Sequence, residues 1–321
     1  MPARRAGYAG VGAGGESVAE IYSHSRLETF ERCPRQFLYR YRLNLPAESE
    51  SIEAYLGKRV HEVLERLYRA TARGQVPTLD QVQARYRQLF DDGYDPQRIR
   101  IVRVEQPLAF YRELGEHCLA NYYADHYPFD RDETLGLEER VLFDLGEAPS
   151  GPVRLQGFVD RVVRSRDGAV EIHDYKTGAR VPSQNKVDAD RQLAFYQMGL
   201  TSRFGPSRSF RLVWHFVRRG ITRTSTRTQE QLDALRAETL ERVERIRSEE
   251  EFPAKPTQLC RWCEYREGCP ASPMRNTEIP SYERRPQVQA AARAVAEGRP
   301  RRRAPAVPPG QLALPLGVGL A

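Results

Sequence analysis

The chain has 321 residues, of which 40% are hydrophobic and 29% charged, and it contains no apolar run long enough to span a bilayer. This composition excludes a membrane-spanning protein and predicts one moderately large domain with tails, which we expect in the cytoplasm. The formal net charge of +7 and the pI near 9.2 favour a polyanionic partner, although much of the arginine excess lies in the C-terminal tail.

Residues 1–20 are rich in glycine and alanine and are predicted to be disordered. The run 10–17 nearly reproduces a phosphate-binding loop. No strand precedes it, however, and Glu16 stands where a lysine would meet phosphate, so we reject that interpretation. No helicase motor motif is visible elsewhere in the sequence.

Basic and aromatic residues alternate around Cys33, and this pattern has two interpretations. Such a segment suits backbone contact and base stacking on single-stranded nucleic acid. Alternatively, it is a helix whose aromatic side chains belong to the core and whose arginines are solvated. The residues concerned are Arg32, Arg35, Arg40 and Arg42, with Phe37, Tyr39 and Tyr41 between them.

A strongly periodic stretch predicts a helix over 52–73, and helices are predicted to dominate as far as about residue 126. His61 lies beside the apolar stripe of this helix. Taken alone, such a histidine is either a hydrogen-bonded residue at the edge of the core or a metal ligand. A strand is predicted next, over 137–145, and it carries the adjacent acids Glu138 and Glu139, between which the sequence does not choose.

Two acids and a lysine lie on the following predicted strands. Asp174 and Lys176 share one face of their strand with Val170 and Ile172, so charge stands where the pattern favours hydrocarbon. A buried carboxylate and ammonium are costly unless they pair or hold a metal. The pair alone would fit a salt bridge. The turn at 166–168, however, lets the strand of Asp160 fold back beside that of Asp174, which predicts two carboxylates at one point.

The chain then alternates between helices and strands. A helix is predicted over 186–204, with Gln192 and Tyr196 one turn apart on one face, followed by a strand over 210–217 and a helix over 229–248. On its own, the Gln192/Tyr196 pair also fits the edge of a core. This order of elements predicts an α/β architecture, a small mixed sheet covered by helices, with the N-terminal helices forming a wall over the site.

Three of the five cysteines are clustered in the sequence. Cys260, Cys263 and Cys269 have the spacing typical of metal sites in reducing compartments, while Cys33 lies far upstream. Thiolate ligands indicate zinc or an iron–sulfur cluster, and spacing alone does not decide between them. Cys118 is predicted to be a small buried hydrophobic residue.

The strand motifs resemble those of the PD-(D/E)XK nuclease superfamily, specifically its RecB-like branch. The matching residues are Gly157-x-x-Asp160 and the run from Asp174 to Gly178, which reads Asp-Tyr-Lys-Thr-Gly. The resemblance implies a restriction-endonuclease-like core that hydrolyses phosphodiesters with Mg²⁺ or Mn²⁺. It further implies Asp160, Asp174 and His61 as metal ligands, Lys176 at the attacking water and scissile phosphate, and Gln192 and Tyr196 near the active site and the DNA backbone.

One distant cysteine followed by Cys-x-x-Cys-x5-Cys is similar to the 4Fe-4S arrangement of AddB-type subunits and of CRISPR-associated adaptation exonucleases. The resemblance therefore favours a 4Fe-4S cluster on Cys33, Cys260, Cys263 and Cys269 over zinc. We expect such a cluster to act as a staple between distant parts of the chain.

Residues 271–321 are predicted to form a flexible basic tail behind a nuclease domain at 21–270. The tail contains Gln311-Leu-Ala-Leu-Pro-Leu316, which resembles peptides that dock in the bacterial sliding clamp, or is a chance apolar end. The expected function is a metal-dependent DNA nuclease, an exonuclease acting on DNA ends or single strands in recombination and repair, with a helicase subunit as a candidate partner. The alternative is a noncatalytic DNA-binding subunit of a helicase–nuclease complex.

Overall fold

The computed structural model describes residues 20–206, 208–279, 281–286, 288–290 and 293. The helices in this part are α1 His24–Arg32, α2 Pro34–Phe37, α3 Ile52–Thr71, α4 Leu79–Gly93, α5 Leu108–His126, α6 Gln184–Asp188, α7 Gln192–Phe204 and α8 Gln229–Ser248. A π-helical turn, Leu38–Arg42, continues α2, and 3-10 turns lie at Gln258–Trp262 and Tyr282–Arg284. None of these helices is long and apolar enough to cross a membrane.

The strands are β1 Glu20–Tyr22, β2 Glu50–Ser51, β3 Ile99–Arg100, β4 Glu133–Ala148, β5 Gly151–Arg164, β6 Val170–Tyr175, β7 Phe210–Phe216 and β8 Ile221–Ser225. Six of them form a mixed sheet in the order β1-β5-β6-β7-β8, with β4 antiparallel to β5 along its whole length. The short strands β2 and β3 pair separately in parallel. The predicted α/β class, a mixed sheet flanked by helices, is confirmed.

The sheet forks on one edge of β5. The first part of that edge pairs in parallel with β1 at 153–155, and the last part pairs antiparallel with β6 at 161–164. Between these two ladders, residues 156–160 of β5 are left without a strand partner on that edge. Asp160 lies at the end of this gap, and its Oδ2 accepts a hydrogen bond of 2.8 Å from Tyr175 N at the carboxyl end of β6.

Helices cover both faces of the sheet, which explains why all six residues of β6 are buried. On one face, α3, α4 and α5 form a core with Tyr175 and Val217. On the other face, α7 packs against residues of β5, β6 and β7. Cys118 is fully buried in α5, as predicted. The turn between β5 and β6 is also as predicted, with Gly168 in a left-handed conformation at φ +85°.

Two boundaries differ from the sequence predictions. The helix predicted over 186–204 is broken: α6 ends at Asp188 and α7 begins at Gln192, whose N donates to Asp190 Oδ1 at 2.9 Å. The strand predicted over 137–145 is longer, beginning at Glu133 and ending at Ala148.

The packed structure also continues past residue 270. Tyr282 is fully buried and Val288 nearly so, both in a cluster with Tyr39, Leu45 and Tyr265. The tail predicted from residue 271 therefore does not coincide with the end of packed structure. The expected disorder of the N-terminus, apart from Glu20 in β1, falls outside the described residues, as do the rejected loop at 10–17 and the clamp-like peptide at Gln311–Leu316.

Candidate functional site

Three possible metal-ligating side chains meet at the fork of the sheet. His61 from α3, Glu138 from β4 and Asp160 from β5 each place a ligand atom within 4.8 Å of the others. Glu138 lies between the cross-strand pairs Leu137↔Arg161 and Glu139↔Val159, which sets it opposite Asp160. Its left-handed φ of +47° marks a local distortion of β4 at the site.

The structure thereby distinguishes Glu138 from Glu139, a choice that the sequence did not allow. Glu138 is half-buried beside His61 and Asp160, whereas Glu139 turns away and pairs with Arg203 at 2.8 Å. Neither was among the residues chosen from the sequence. The sequence did show that an acid precedes the Asp160 strand. Adjacent acids on a strand point to opposite faces, however, and the sequence did not give the register of β4 on β5 that decides which acid faces Asp160.

The hydrogen bonds of His61 leave one ring nitrogen facing a carboxylate. Nε2 lies 2.8 Å from the carbonyl oxygen of Tyr175 and must donate to it. Nδ1 then lies 3.3 Å from Asp160 Oδ1, and in the neutral ring both atoms are acceptors. A proton or a cation is needed between them. Burial disfavours the imidazolium, but the Asp160 carboxylate outweighs burial and raises the pKa of His61 to about 9.

A second set of contacts links Asp174, Lys176, Gln192 and Tyr196. Lys176 Nζ lies 2.7 Å from Asp174 Oδ2 and donates to Gln192 Oε1 at 2.8 Å. Gln192 Nε2 in turn donates to Asp174 Oδ1 at 3.1 Å and to the Tyr196 hydroxyl at 3.3 Å. The amide thus fixes the lysine and the carboxylate together, which also accounts for the one-turn spacing of Gln192 and Tyr196 on α7.

Burial and crowding of like charges raise the pKa values of two carboxyl groups at the site. The pKa of Asp174 rises to about 6 and that of Glu138 to about 7, because each is buried and the Asp160 carboxylate is close. Burial would lower the pKa of Lys176, but Asp174 outweighs it and the net shift is upward. A site with three carboxyl groups and one lysine therefore favours an additional cation.

The described residues fit a hard divalent cation. His61 Nδ1 and Asp174 Oδ2 are buried without a properly directed hydrogen bond, although the latter is close to Lys176. Carboxylate oxygens and one imidazole suit Mg²⁺ or Mn²⁺. The compact donor group contains His61, Glu138 and Asp160, while Asp174, predicted as a ligand, is held by Lys176 and Gln192 at its edge.

Glycine is required where β5 passes under α7. A Cβ on Gly157 would lie 2.1 Å from Cε1 of Tyr196, so only glycine lets the Tyr196 ring rest on the strand. This contact explains the glycine of the Gly-x-x-Asp motif, because Gly157 leaves room for the ring of Tyr196, whose hydroxyl accepts a hydrogen bond from Gln192.

The four predicted cluster cysteines line one cavity. This cavity is partly open to solvent, and it is lined by Cys33, at the junction of α1 and α2, and by Cys260, Cys263 and Cys269. Burial raises the pKa of Cys263, and Glu264 raises it further; burial also raises the pKa of Cys269, so a cation beside these two thiols would favour their thiolate forms. Among the described residues, no three of the sulfurs lie within 4.8 Å of one another.

The basic and aromatic segment around Cys33 belongs to the core, so base stacking by its aromatic residues is excluded. Phe37 and Tyr39 are essentially fully buried, and Tyr41 is 7% exposed. Three of the arginines are ion-paired within the protein, with the pairs Arg35–Glu283, Arg40–Glu264 and Arg42–Glu20. The alternation of aromatic and basic residues around Cys33 therefore indicates core packing rather than nucleic acid binding.

The fold and the site together define a class of α/β protein. Its members have a mixed sheet with helices on both faces, and buried acids lie beside a lysine where β6 diverges from β1 along β5. The sequence model of the PD-(D/E)XK nuclease superfamily matches residues 21–270. The chain belongs to this superfamily, and membership implies a nucleic acid substrate.

The chain was also compared with solved structures and with curated proteins. The solved structure described as "Crystal structure of SSO0001" is similar over 79% of this chain and 89% of that chain, with 14% sequence identity and a TM-score of 0.37. A likeness at this level carries no argument about function. No curated protein matches the sequence.

Proposed function

We propose that this protein is an Mg²⁺- or Mn²⁺-dependent deoxyribonuclease, acting as an exonuclease on DNA ends or single strands in recombination and repair. The observation that carries the proposal is the pair of acceptors His61 Nδ1 and Asp160 Oδ1, which face each other at 3.3 Å beside Glu138, so that a divalent cation can replace the proton that they share in the metal-free protein. A site kept only for binding DNA has no use for this arrangement.

Each side chain has a separate role in the proposed reaction. His61, Glu138 and Asp160 hold the cation, with Asp174 at its edge; when bound, the metal makes a water more acidic and offsets charge on the phosphate. Lys176, which Gln192 holds beside Asp174, is placed to orient the attacking water and to stabilise charge developing on the scissile phosphate. Tyr196 supports Gln192 through its hydroxyl.

The depth of the site favours a single strand as substrate. The side chains of Asp160 and Asp174 are 6% and 5% exposed and that of His61 is 11% exposed, whereas Lys176 is the most open of the group at 21%. A single strand can place one phosphate in such a recess more readily than a duplex, whose second strand must be accommodated as well.

We further propose that Cys33, Cys260, Cys263 and Cys269 hold a 4Fe-4S cluster. In a four-cysteine zinc site, Zn–S bonds of about 2.3 Å bring the sulfurs within about 4 Å of one another. In a cubane each thiolate binds its own iron, which suits four sulfurs spread around one cavity. The cluster would tie α1 and α2 to the segment after α8, so its role is structural. A helicase subunit and the sliding clamp stay candidate partners.

The first test is cleavage of end-labelled single-stranded DNA with Mg²⁺ by anaerobically purified protein, with Asp174→Ala as the matched variant. Cleavage by the wild type alone supports the proposal, and the label pattern gives the polarity. If both proteins bind DNA and neither cleaves it, the noncatalytic subunit is the better explanation. Iron analysis and absorbance near 400 nm test the cluster separately from the nuclease activity.

A further inference from the structure

A buried arginine lies next to the candidate metal site, on the face of the sheet that α3 and α5 cover. Arg161 follows Asp160 on β5, and its side chain is 3% exposed. The nearest carboxylate oxygen, Asp132 Oδ2, is 3.9 Å away, too far for a hydrogen bond. A buried guanidinium without a close anionic partner costs several kcal/mol, so the position calls for an explanation.

The partners of Arg161 are mainly aromatic. Its guanidinium carbon lies 3.7 Å from the ring centroid of Tyr68, and its NH1 donates to the Tyr122 hydroxyl at 3.3 Å. The hydroxyls of Tyr68 and Tyr122 are 2.6 Å apart, and that of Tyr175 is 3.4 Å from Tyr122. Arginine is suited to this setting, since its planar cation can stack on a ring and donate hydrogen bonds in the same plane.

These contacts fix α3 to the sheet at a second point. Tyr68 and His61 are seven residues apart on α3, which is two helical turns, so they share a face about 10 Å apart along the axis. His61 meets Asp160 and the carbonyl of Tyr175, while Tyr68 meets Arg161, the next residue on β5. A second polar contact with β5 on the same helix adds to the apolar packing of α3 and restricts both its rotation and its tilt relative to the sheet.

We propose that Arg161 and Tyr68 are positioning residues for the metal site, which hold α3 so that the imidazole of His61 stays at ligand distance from Asp160. The pair acts through His61 and touches neither metal nor substrate. Since it concerns the geometry of the cation site, the inference rests on the proposed function.

The test is the Mn²⁺ dissociation constant of the full chain, measured by electron paramagnetic resonance for wild type and Tyr68→Leu. Loss of a supporting partner of a metal ligand weakens metal binding by about tenfold or more, and we expect that increase here. Tyr68→Phe keeps the ring under Arg161 and should retain most of the affinity. Tyr55→Leu is the matched control, because Tyr55 is a buried tyrosine of the same helix whose hydroxyl donates to Phe90 O at 2.6 Å on α4.

A double-mutant cycle separates positioning from general destabilisation. In a His61→Ala background, Tyr68→Leu should no longer change the Mn²⁺ dissociation constant, because there is no imidazole left to position. A tenfold loss that persists in that background, or an equal loss in Tyr55→Leu, would overturn the inference.

A metal-free crystal structure of Tyr68→Leu decides the inference independently of metal binding. The inference expects the separation of His61 Nδ1 and Asp160 Oδ1 to grow well beyond 3.3 Å, and an unchanged separation would refute it. If wild type binds no Mn²⁺, the proposed function fails, and this comparison still tests the positioning role.

Discussion

The contact between Gly157 and Tyr196 makes Gly157→Ala a sharp test of the site. The added Cβ would lie 2.1 Å from Cε1 and 3.0 Å from Cδ1 and Cζ of the ring, so the ring must move by more than 1 Å to reach ordinary contact. Overpacking of this kind costs about 1–3 kcal/mol of stability. Tyr196 accepts a hydrogen bond from Gln192, which in turn contacts both Lys176 and Asp174, so the same shift displaces the proposed catalytic groups.

A misplacement of about 1 Å near reacting groups lowers the rate about a hundredfold, and we expect that loss of kcat in Gly157→Ala. Single-turnover cleavage of labelled single-stranded DNA measures it, and urea unfolding measures the stability. Gly168→Ala is the control, since Gly168 has φ +85° and no atom near an added Cβ: it strains the β5–β6 turn and leaves the site alone.

Tyr196→Leu should partly relieve the clash, so the double variant Gly157→Ala/Tyr196→Leu should be more stable than Gly157→Ala. Gly157→Ala with wild-type kcat, or with a rate loss no greater than that of Gly168→Ala, would show that the ring does not support the catalytic groups. The stability of the double variant tests the steric part of the reasoning alone.

Four other predictions concern the metal site and the four clustered cysteines. Lys176→Ala should bind DNA as wild type does but lose cleavage by a factor of about 100 or more, since the lysine is proposed to act on the transition state. A filter-binding assay measures DNA binding and the cleavage assay measures the rate. Retained cleavage would disprove the role of the lysine. Mn²⁺ affinity should rise with pH up to about 9, because the metal must displace the proton that the raised pKa of His61 holds on the ring; titration calorimetry in buffers of different ionisation enthalpy should show proton release at pH 7. By the same shift, His61 stabilises the metal-free protein fully below pH 6.5, and that contribution is lost as pH rises through about 9, so only the metal-free Tm should fall there. Cys263→Ser should give colourless, less stable protein, and normal iron content in this variant would contradict the cluster ligand set.

Much of the fold and site could be predicted because the relevant signals are local. The periodicity of β6 and the turn at Gly168 place Asp174 and Asp160 on neighbouring strands, and the structure has them there. Helical spacing likewise placed Gln192 and Tyr196 on one face. His61 needed the family resemblance, since nothing local distinguishes it from a histidine at the edge of the core.

The remaining features depend on contacts between distant residues. The choice of Glu138 over Glu139 follows from the register of β4 on β5 and from a left-handed residue, neither of which has a local signature. The aromatics beside Cys33 looked like stacking platforms because their partners, such as Tyr265 and Phe252, lie more than two hundred residues away. The contacts of Arg161 with Tyr68 and Tyr122 could not be predicted, because the alternation of apolar and polar residues along β5 does not reveal that helices cover both faces of the sheet.

The packing of the first helices against the last segment also sets the timing of folding during synthesis. Gln36 of α2 donates to Glu264, which is 228 residues further along the chain. At ribosomal rates of about 5–20 residues per second, α2 waits on the order of ten to forty-five seconds before its partner is made. During that interval Phe37 and Tyr41 have no completed core to enter, and Cys33 is synthesised long before Cys260, Cys263 and Cys269. The nascent α1–α2 segment therefore stays without its packing partners throughout this interval, when exposed apolar surface is prone to aggregation and open to chaperone binding.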